Sequence, residues 1–152
     1  MSLKARILFA GGTLYWRLFR PVTLGVRLLL IKDGAIVLVK HSYQPEWYLP
    51  GGGVKRNETL AQAGRREAME EVGARLDHLQ FFGIYSNLTQ PKSDHVAVFL
   101  CQSFEIVGRS DYEIESVEFF PLAGLPADIS SGSHNRIMEY LAGDHVPSAE
   151  EW

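Results

Sequence analysis

An α+β fold is what this sequence predicts, and three observations predict it. Apolar, β-branched runs of strand length recur between Val22 and Phe120. One alanine-rich segment, Thr59 to Val72, carries both a helix start and a helix stop, and a second helical segment follows at His134 to Leu141. At 152 residues, with 46% hydrophobic and 22% charged residues, the chain has the size and composition of one soluble globular domain. These figures exclude a disordered chain and a bundle of membrane spans. The net charge of -3 gives no general attraction for DNA or RNA, so nucleic acid is not expected as a partner.

The elements follow in order. Residues 1–20 hold Lys4, Arg6, Arg17 and Arg20 without an acidic residue, and Leu3, Ile7, Leu14 and Leu18 recur at helical spacing. They read as an amphipathic segment, a helix docked on the domain or on a second subunit. The rival reading, a helix lying on an anionic membrane, is weakened by Gly11-Gly12 and by the small number of charges. The apolar stretch from Ile7 to Trp16 is too short to cross a bilayer, and no stable membrane insertion is expected.

Residues 21–143 form the main domain. Val22 to Ile31 and Ala35 to Val39 are strands joined through Lys32-Asp33-Gly34, a hairpin signal. Trp47 to Leu49 is a short strand ending at Pro50, and Gly51-Gly52-Gly53 then imposes a backbone path open only to glycine. The central helix starts at a Thr59/Gln62 capping box and stops at Gly73. Leu79 to Tyr85, Val96 to Phe104 and Val117 to Phe120 read as strands, and residues 144–152, acidic and interrupted by Pro147, as a loose tail. The single cysteine, Cys101, sits in an apolar run and reads as a core residue; one cysteine precludes an internal disulfide and fits a reducing, cytoplasmic compartment.

Chemistry concentrates on the central helix. Glu67, Glu70 and Glu71 stand at i, i+3 and i+4, so about 100° per residue places them on one face, where they repel one another. Two glutamates on a helix are usually just a solvated surface. Here the helix follows directly on a triple-glycine loop, so carboxylates and backbone carbonyls can converge on an oxygen-rich site of the kind hard divalent cations prefer.

From Gly52 onward the sequence reads Gly52-x5-Glu58-x7-Arg66-Glu67-Ala68-x-Glu70-Glu71-x-Gly73, which resembles the signature of the Nudix hydrolase family at every fixed position. Ala68 and Ala74 depart from it, standing where the family usually has bulkier aliphatic residues; both are expected to face the core. The resemblance extends over roughly residues 20 to 142. It implies the Nudix fold, a mixed β-sheet sandwiched between α-helices.

It further implies that Glu67, Glu70 and Glu71 bind metal, Mg2+ in the first instance and Mn2+ as the substitute, with the carbonyl of Gly51 or Gly52 as an additional ligand. Glu58 and Arg66 are implied as a supporting pair. The reaction implied is attack of water on one phosphorus of a pyrophosphate linkage in a nucleoside diphosphate joined to another moiety X, as in ADP-ribose, a nucleotide sugar or a nucleoside triphosphate. The general base is a glutamate of the box or one from a later loop. Glu113 is the first choice in that loop, with Glu115 and Glu118 behind it.

Other residues suit substrate. Arg27, Lys40, His41, Gly52 and Gly53 are candidates for phosphate contact, and Tyr43, Trp47, Tyr48 and Tyr85 for stacking on a base. His95 reads as a strand-edge residue, and Pro91 is a weak pointer towards ADP-ribose pyrophosphatases. A Nudix-fold domain that senses a nucleotide without turning it over is the alternative, disfavoured because a pure binding module has no need of three mutually repelling carboxylates. A homodimer is compatible with the sequence.

Overall fold

A computed structural model describes residues 22–88, 93–143 and 146–152 of the chain. The expectations placed on residues 1–20 and on Pro91 lie outside the described residues.

The long strand β1 (Val22–Lys32) turns into β2 (Ala35–His41) through Asp33 and Gly34, whose φ values of 52° and 76° are both positive, as the tight primed hairpin turn requires. From Val22↔Ser93 to Leu30↔Cys101, β1 pairs in parallel with the whole of β6 (Ser93–Cys101). β6 pairs antiparallel with β5 (Gln80–Asn87), and β2 pairs antiparallel with both β3 (Trp47–Tyr48) and β8 (Ile114–Pro121). The result is a mixed sheet, joined across the β1–β2 hairpin.

Side chains on a strand alternate between faces, and β1 uses both faces. Val26, Leu28 and Leu30 point to one core together with Val37, Val39, Ala63, Ala68 and Val72, beneath helix α1 (Leu60–Glu67). Leu29 and Ile31 point to the other with Ile36, Leu38, Trp47, Phe82 and Ile137, beneath helix α2 (Ser131–Ala142). The sheet is thus covered on both faces by helices, the α+β arrangement that the sequence predicts. Ala68 and Ala74 are both buried in the α1 core, so small residues there are a matter of packing and leave the acidic face untouched.

The expected single helix from Thr59 to Val72 is two pieces. Its capping box forms: Thr59 N donates to Gln62 Oε1 at 2.8 Å, and Gln62 N donates to Thr59 Oγ1 at 3.2 Å. After Glu67, however, the chain widens into a π-helical turn, Ala68–Val72, ended by Gly73 at φ 69°. The run expected from Val96 to Phe104 also breaks, at Gln102 and Ser103. Phe104 begins a separate strand, β7 (Phe104–Ile106), which pairs with β4 (Ala74–Leu76). Both strands are too short to show a period of their own.

Residues 148–152 of the expected loose tail pair with the domain. β9 (Ala149–Glu151) adds in parallel to β5, Ile84 N donates to the Ser148 carbonyl at 3.0 Å, and Trp152 packs against the α2 core. The anchor is Arg136, which is buried. It donates to the Glu151 carbonyl at 3.1 Å and to Glu139 at 2.6 Å, and its guanidinium lies 3.7 Å from the Tyr85 ring centroid. Composition alone missed this because the holding groups lie on other elements.

Candidate functional site

The glycine loop follows β3 and crosses the end of β1. Val26 N donates to the Gly52 carbonyl, Leu28 N to the Pro50 carbonyl and Val54 N to the Leu24 carbonyl, each at 2.9 Å. Gly51 has φ 140°, and a Cβ there would overlap the Val26 carbonyl, so no other residue fits. A Cβ on Gly52 would fall 2.6 Å from Glu67 Oε1. The loop and the acidic helix are therefore in direct contact, and the missing side chains make the room for the carboxylates.

Glu71 faces the loop most closely, its Oε2 accepting from Gly51 N at 2.8 Å. Burial pushes its carboxyl up to about 7, and Glu67 and Glu70 push in the same direction, while the Gly51 N–H and the Arg27 charge pull it down. Arg66 binds the rest of the cluster. Its Nε and Nη2 hold the two Glu58 oxygens at 2.7 and 3.0 Å, and its Nη1 reaches Glu67 at 2.6 Å and Glu70 at 3.0 Å. Hydrogen bonds from Arg66 hold Glu58 well below the usual carboxylate range, at about 2. Lys55 approaches Glu70 at 3.7 Å from the rim.

Among the described residues no three acidic, histidine or cysteine side chains converge in a closed ligand set. The guanidinium of Arg66 sits between Glu67 and Glu70. The donor chemistry nevertheless suits a hard divalent cation, since Glu67, Glu70 and Glu71 supply only oxygen and their mutual repulsion calls for positive charge. The carbonyls named as additional ligands are both engaged. That of Gly51 accepts from Arg27 Nη1 at 2.6 Å, and that of Gly52 accepts from Val26 N, which leaves each a second lone pair.

These groups line one open cleft of about 570 Å³, shared with Arg27, His41, Tyr43, Gln44, Gly53, Lys55 and Glu113. His41 is buried, its Nδ1 has no hydrogen-bond partner among the described residues, and its Nε2 stands 3.7 Å from Glu71 Oε1. Burial first, then the Arg27 charge, lowers its pKa, with Glu113 acting the other way. The ring is therefore uncharged near neutral pH, and its approach to Glu71 is not an ion pair.

The remaining candidates separate. Glu113 is exposed on the turn before β8 and lines the cleft, whereas Glu115 and Glu118 are exposed on β8 and are not among the cleft walls. Lys40 turns away, pairing with Asp128 at 3.2 Å and lying 5.6 Å from the Trp47 ring centroid. The β2–β8 register shifts between Lys40 and His41, and of the two only His41 lines the cleft. Trp47 and Tyr85 are core residues: Trp47 packs edge-on to Phe120, and Tyr85 donates to Glu139 at 2.8 Å. His95 is not a strand-edge residue: it lies on β6 between β1 and β5, where its ring contacts Ser86 Oγ at 3.0 Å, and Cys101 is buried. Gln44 and Lys55 are cleft residues that the sequence reading passed over, and neither belongs to a motif that would have marked it.

Residues 20–141 match the description of a NUDIX domain. A MutT-like protein of Streptomyces ambofaciens is 28% identical over 119 residues, covering 77% of this chain and 76% of the relative. An ADP-ribose pyrophosphatase of Methanocaldococcus jannaschii is 29% identical over 117 residues, covering 73% of this chain and 69% of the relative. Among solved structures, a NUDIX hydrolase from Nitrosomonas europaea superimposes with a TM-score of 0.70 at 22% identity, covering 84% of this chain and 93% of that one. The fold agrees with these matches, and the chain belongs to the Nudix family of pyrophosphate-cleaving hydrolases.

Proposed function

We propose that this chain hydrolyses a pyrophosphate linkage in a nucleoside diphosphate joined to a second moiety X, with a divalent cation, Mg2+ or Mn2+, held by Glu67, Glu70 and Glu71. The observation that carries the reading is the contact between loop and helix: Glu71 hydrogen-bonded to Gly51 N at 2.8 Å and Glu67 seated under Gly52, both opening into one cleft. A bound cation supplies neutralisation of the phosphate charge and polarisation of the phosphorus. Arg27 anchors the loop through the Leu49 and Gly51 carbonyls and adds positive charge to the cleft wall. Arg66 keeps Glu67 and Glu70 apart in fixed positions. Glu113 is the general base, an exposed carboxylate on the cleft wall free to accept a proton from water.

The substrate class is supported by the M. jannaschii relative, which is named an ADP-ribose pyrophosphatase. The test incubates ADP-ribose, dinucleotides, nucleotide sugars and nucleoside triphosphates with Mg2+ and reads the phosphomonoester or pyrophosphate products as phosphate freed by a coupling phosphatase or pyrophosphatase, comparing the wild type with Glu71→Gln and Glu113→Gln. Turnover is expected to require the metal and to fall at least about a hundredfold in each variant. Nucleotide binding with no linkage cut under any divalent cation overturns the reading in favour of a sensor.

A further inference from the structure

His41 closes β2 where the β2–β8 pairing shifts between Lys40 and His41, an irregularity of the kind that re-aims a side chain. The backbone around it is tied down: the His41 carbonyl accepts from Gln44 N at 3.2 Å, and Ser42 N donates to the Glu113 carbonyl at 3.1 Å. The ring lies beside those of Tyr43 and Tyr48, with centroids 5.2 and 6.0 Å away, and only 6% of the residue is exposed. Its orientation is therefore set by packing.

The two ring nitrogens meet different surroundings. Nδ1 is buried with no hydrogen-bond partner among the described residues, whereas Nε2 stands 3.7 Å from Glu71 Oε1. A neutral imidazole carries one N–H. On Nδ1 that hydrogen would be buried without an acceptor and would leave the bare lone pair of Nε2 facing a carboxylate; on Nε2 it points at an oxygen able to accept it. The surroundings thus select the Nε2–H tautomer.

The other oxygen of Glu71, Oε2, already accepts from Gly51 N at 2.8 Å. One donor faces each carboxylate oxygen, the first from the glycine loop and the second from the end of β2. The His41 contact is longer than a hydrogen bond, and a shortening of about 0.7 Å makes it one. A carboxylate held at both oxygens no longer turns about its last side-chain bond. The same geometry disfavours the phosphate contact expected of His41, since one nitrogen is walled off and the other faces a negative oxygen.

We propose that His41 is a positioning residue, which donates from Nε2 to Glu71 and, with Gly51 N, fixes that carboxylate for the divalent cation. The assignment rests on the hydrolase reading above and adds to it the group that orients one of its glutamates.

The experiment is a Mn2+ titration of the full chain without substrate, at one pH, followed by the EPR signal of free Mn2+, for the wild type, His41→Gln and His41→Phe. Glutamine offers an N–H at the place of Nε2, whereas phenylalanine keeps a ring beside the tyrosines and has no donor. The Kd for Mn2+ is expected to rise at least about tenfold in His41→Phe and to stay within about threefold of the wild type in His41→Gln, as loss and retention of a bond to a metal-holding carboxylate predict. A packing role gives the reverse order. 15N NMR of the wild-type ring with Mg2+ is expected to place the proton on Nε2, and it decides together with His41→Gln if His41→Phe does not fold. A loss below about tenfold in His41→Phe, an equal loss in His41→Gln, or a proton on Nδ1 overturns the proposal. A raised KM at saturating metal with the Mn2+ affinity unchanged also overturns it, in favour of the phosphate contact. Mn2+ affinity that depends on His41 without hydrolysis of any linkage overturns the hydrolase reading alone; hydrolysis with a Mn2+ affinity indifferent to His41 overturns this one alone.

Discussion

Replacing Arg66 by methionine keeps the length of the side chain and removes its charge, so the consequences fall on the carboxylates it holds. Arg66 is 18% exposed and makes a forked pair with Glu58, bonds to Glu67 and Glu70, and a bond to the Gly53 carbonyl at 3.0 Å. Hydrogen bonds to charged groups contribute about 1.5–3 kcal/mol each, but the cluster is partly solvated and its bonds are not additive. The cost of about 3–5 kcal/mol that follows removal of one partner from a fully buried pair does not apply to so solvated a cluster, and the loss expected is about 2 kcal/mol. For a domain of this size that is a fall in Tm of roughly 6 °C.

The assay is urea and thermal unfolding of wild type and Arg66→Met in chelator and again with Mg2+. The metal is expected to recover more stability in the variant than in the wild type, because it takes over the neutralisation of Glu67 and Glu70. Acid reads the same bond. The folded pKa of Glu58 is depressed to about 2 from 4.5, so its contribution is present above pH 4.5 and is lost as pH falls towards 2. The gap between the proteins therefore narrows over that interval. A loss of less than about 1 kcal/mol, or no narrowing, refutes the argument that Arg66 organises the cluster.

Glu71 gives the opposite pH dependence. Its folded pKa is raised to about 7 from 4.5, so stability in chelator is fully present below pH 4.5 and is lost as pH rises through 7. Glu71→Gln removes that slope and exceeds the wild type by about 3 kcal/mol at pH 8 in chemical denaturation; parallel profiles contradict the burial argument. Gly52→Ala forces a Cβ to within 2.6 Å of Glu67 Oε1 and is expected to cost 1–3 kcal/mol, about as overpacking does, and to lower kcat at least about tenfold. Lys40→Ala breaks the half-exposed pair with Asp128 and the contact with the Trp47 ring, so stability falls by about 1 kcal/mol and steady-state kinetics stay within about twofold; a large rise in KM would return Lys40 to the substrate site.

Local chemistry was legible along the chain. The Asp33-Gly34 turn, the Thr59/Gln62 cap, the Gly73 stop and the sector of Glu67, Glu70 and Glu71 are set by residues a few positions apart, and such interactions leave a pattern that a sequence displays. The buried alanines at 68 and 74 were legible in the same way, as small residues on the inner face of the helix and just beyond it. The family signature lies within one such local stretch, which is why the reaction class could be read before the fold.

Long-range partners decided the rest. Whether Lys40 or His41 faces the cleft depends on how β2 registers against β8, where the pairing shifts between those two residues. Trp47 and Tyr85 were plausible stacking residues until the second core, beneath α2, enclosed them. The short strands β4, β7 and β9 exist only because each finds a partner edge, and three residues are too few to announce themselves by periodicity. The residues at 149–152 show this most plainly. Their composition is that of a loose tail, but the free edge of β5 and the buried guanidinium of Arg136 turn them into a strand and bring Trp152 onto the first turn of α2. Residue type and short spacing set where the acidic chemistry lies, whereas the walls around it come from surfaces remote in sequence, whose contacts are made only when the sheet has closed.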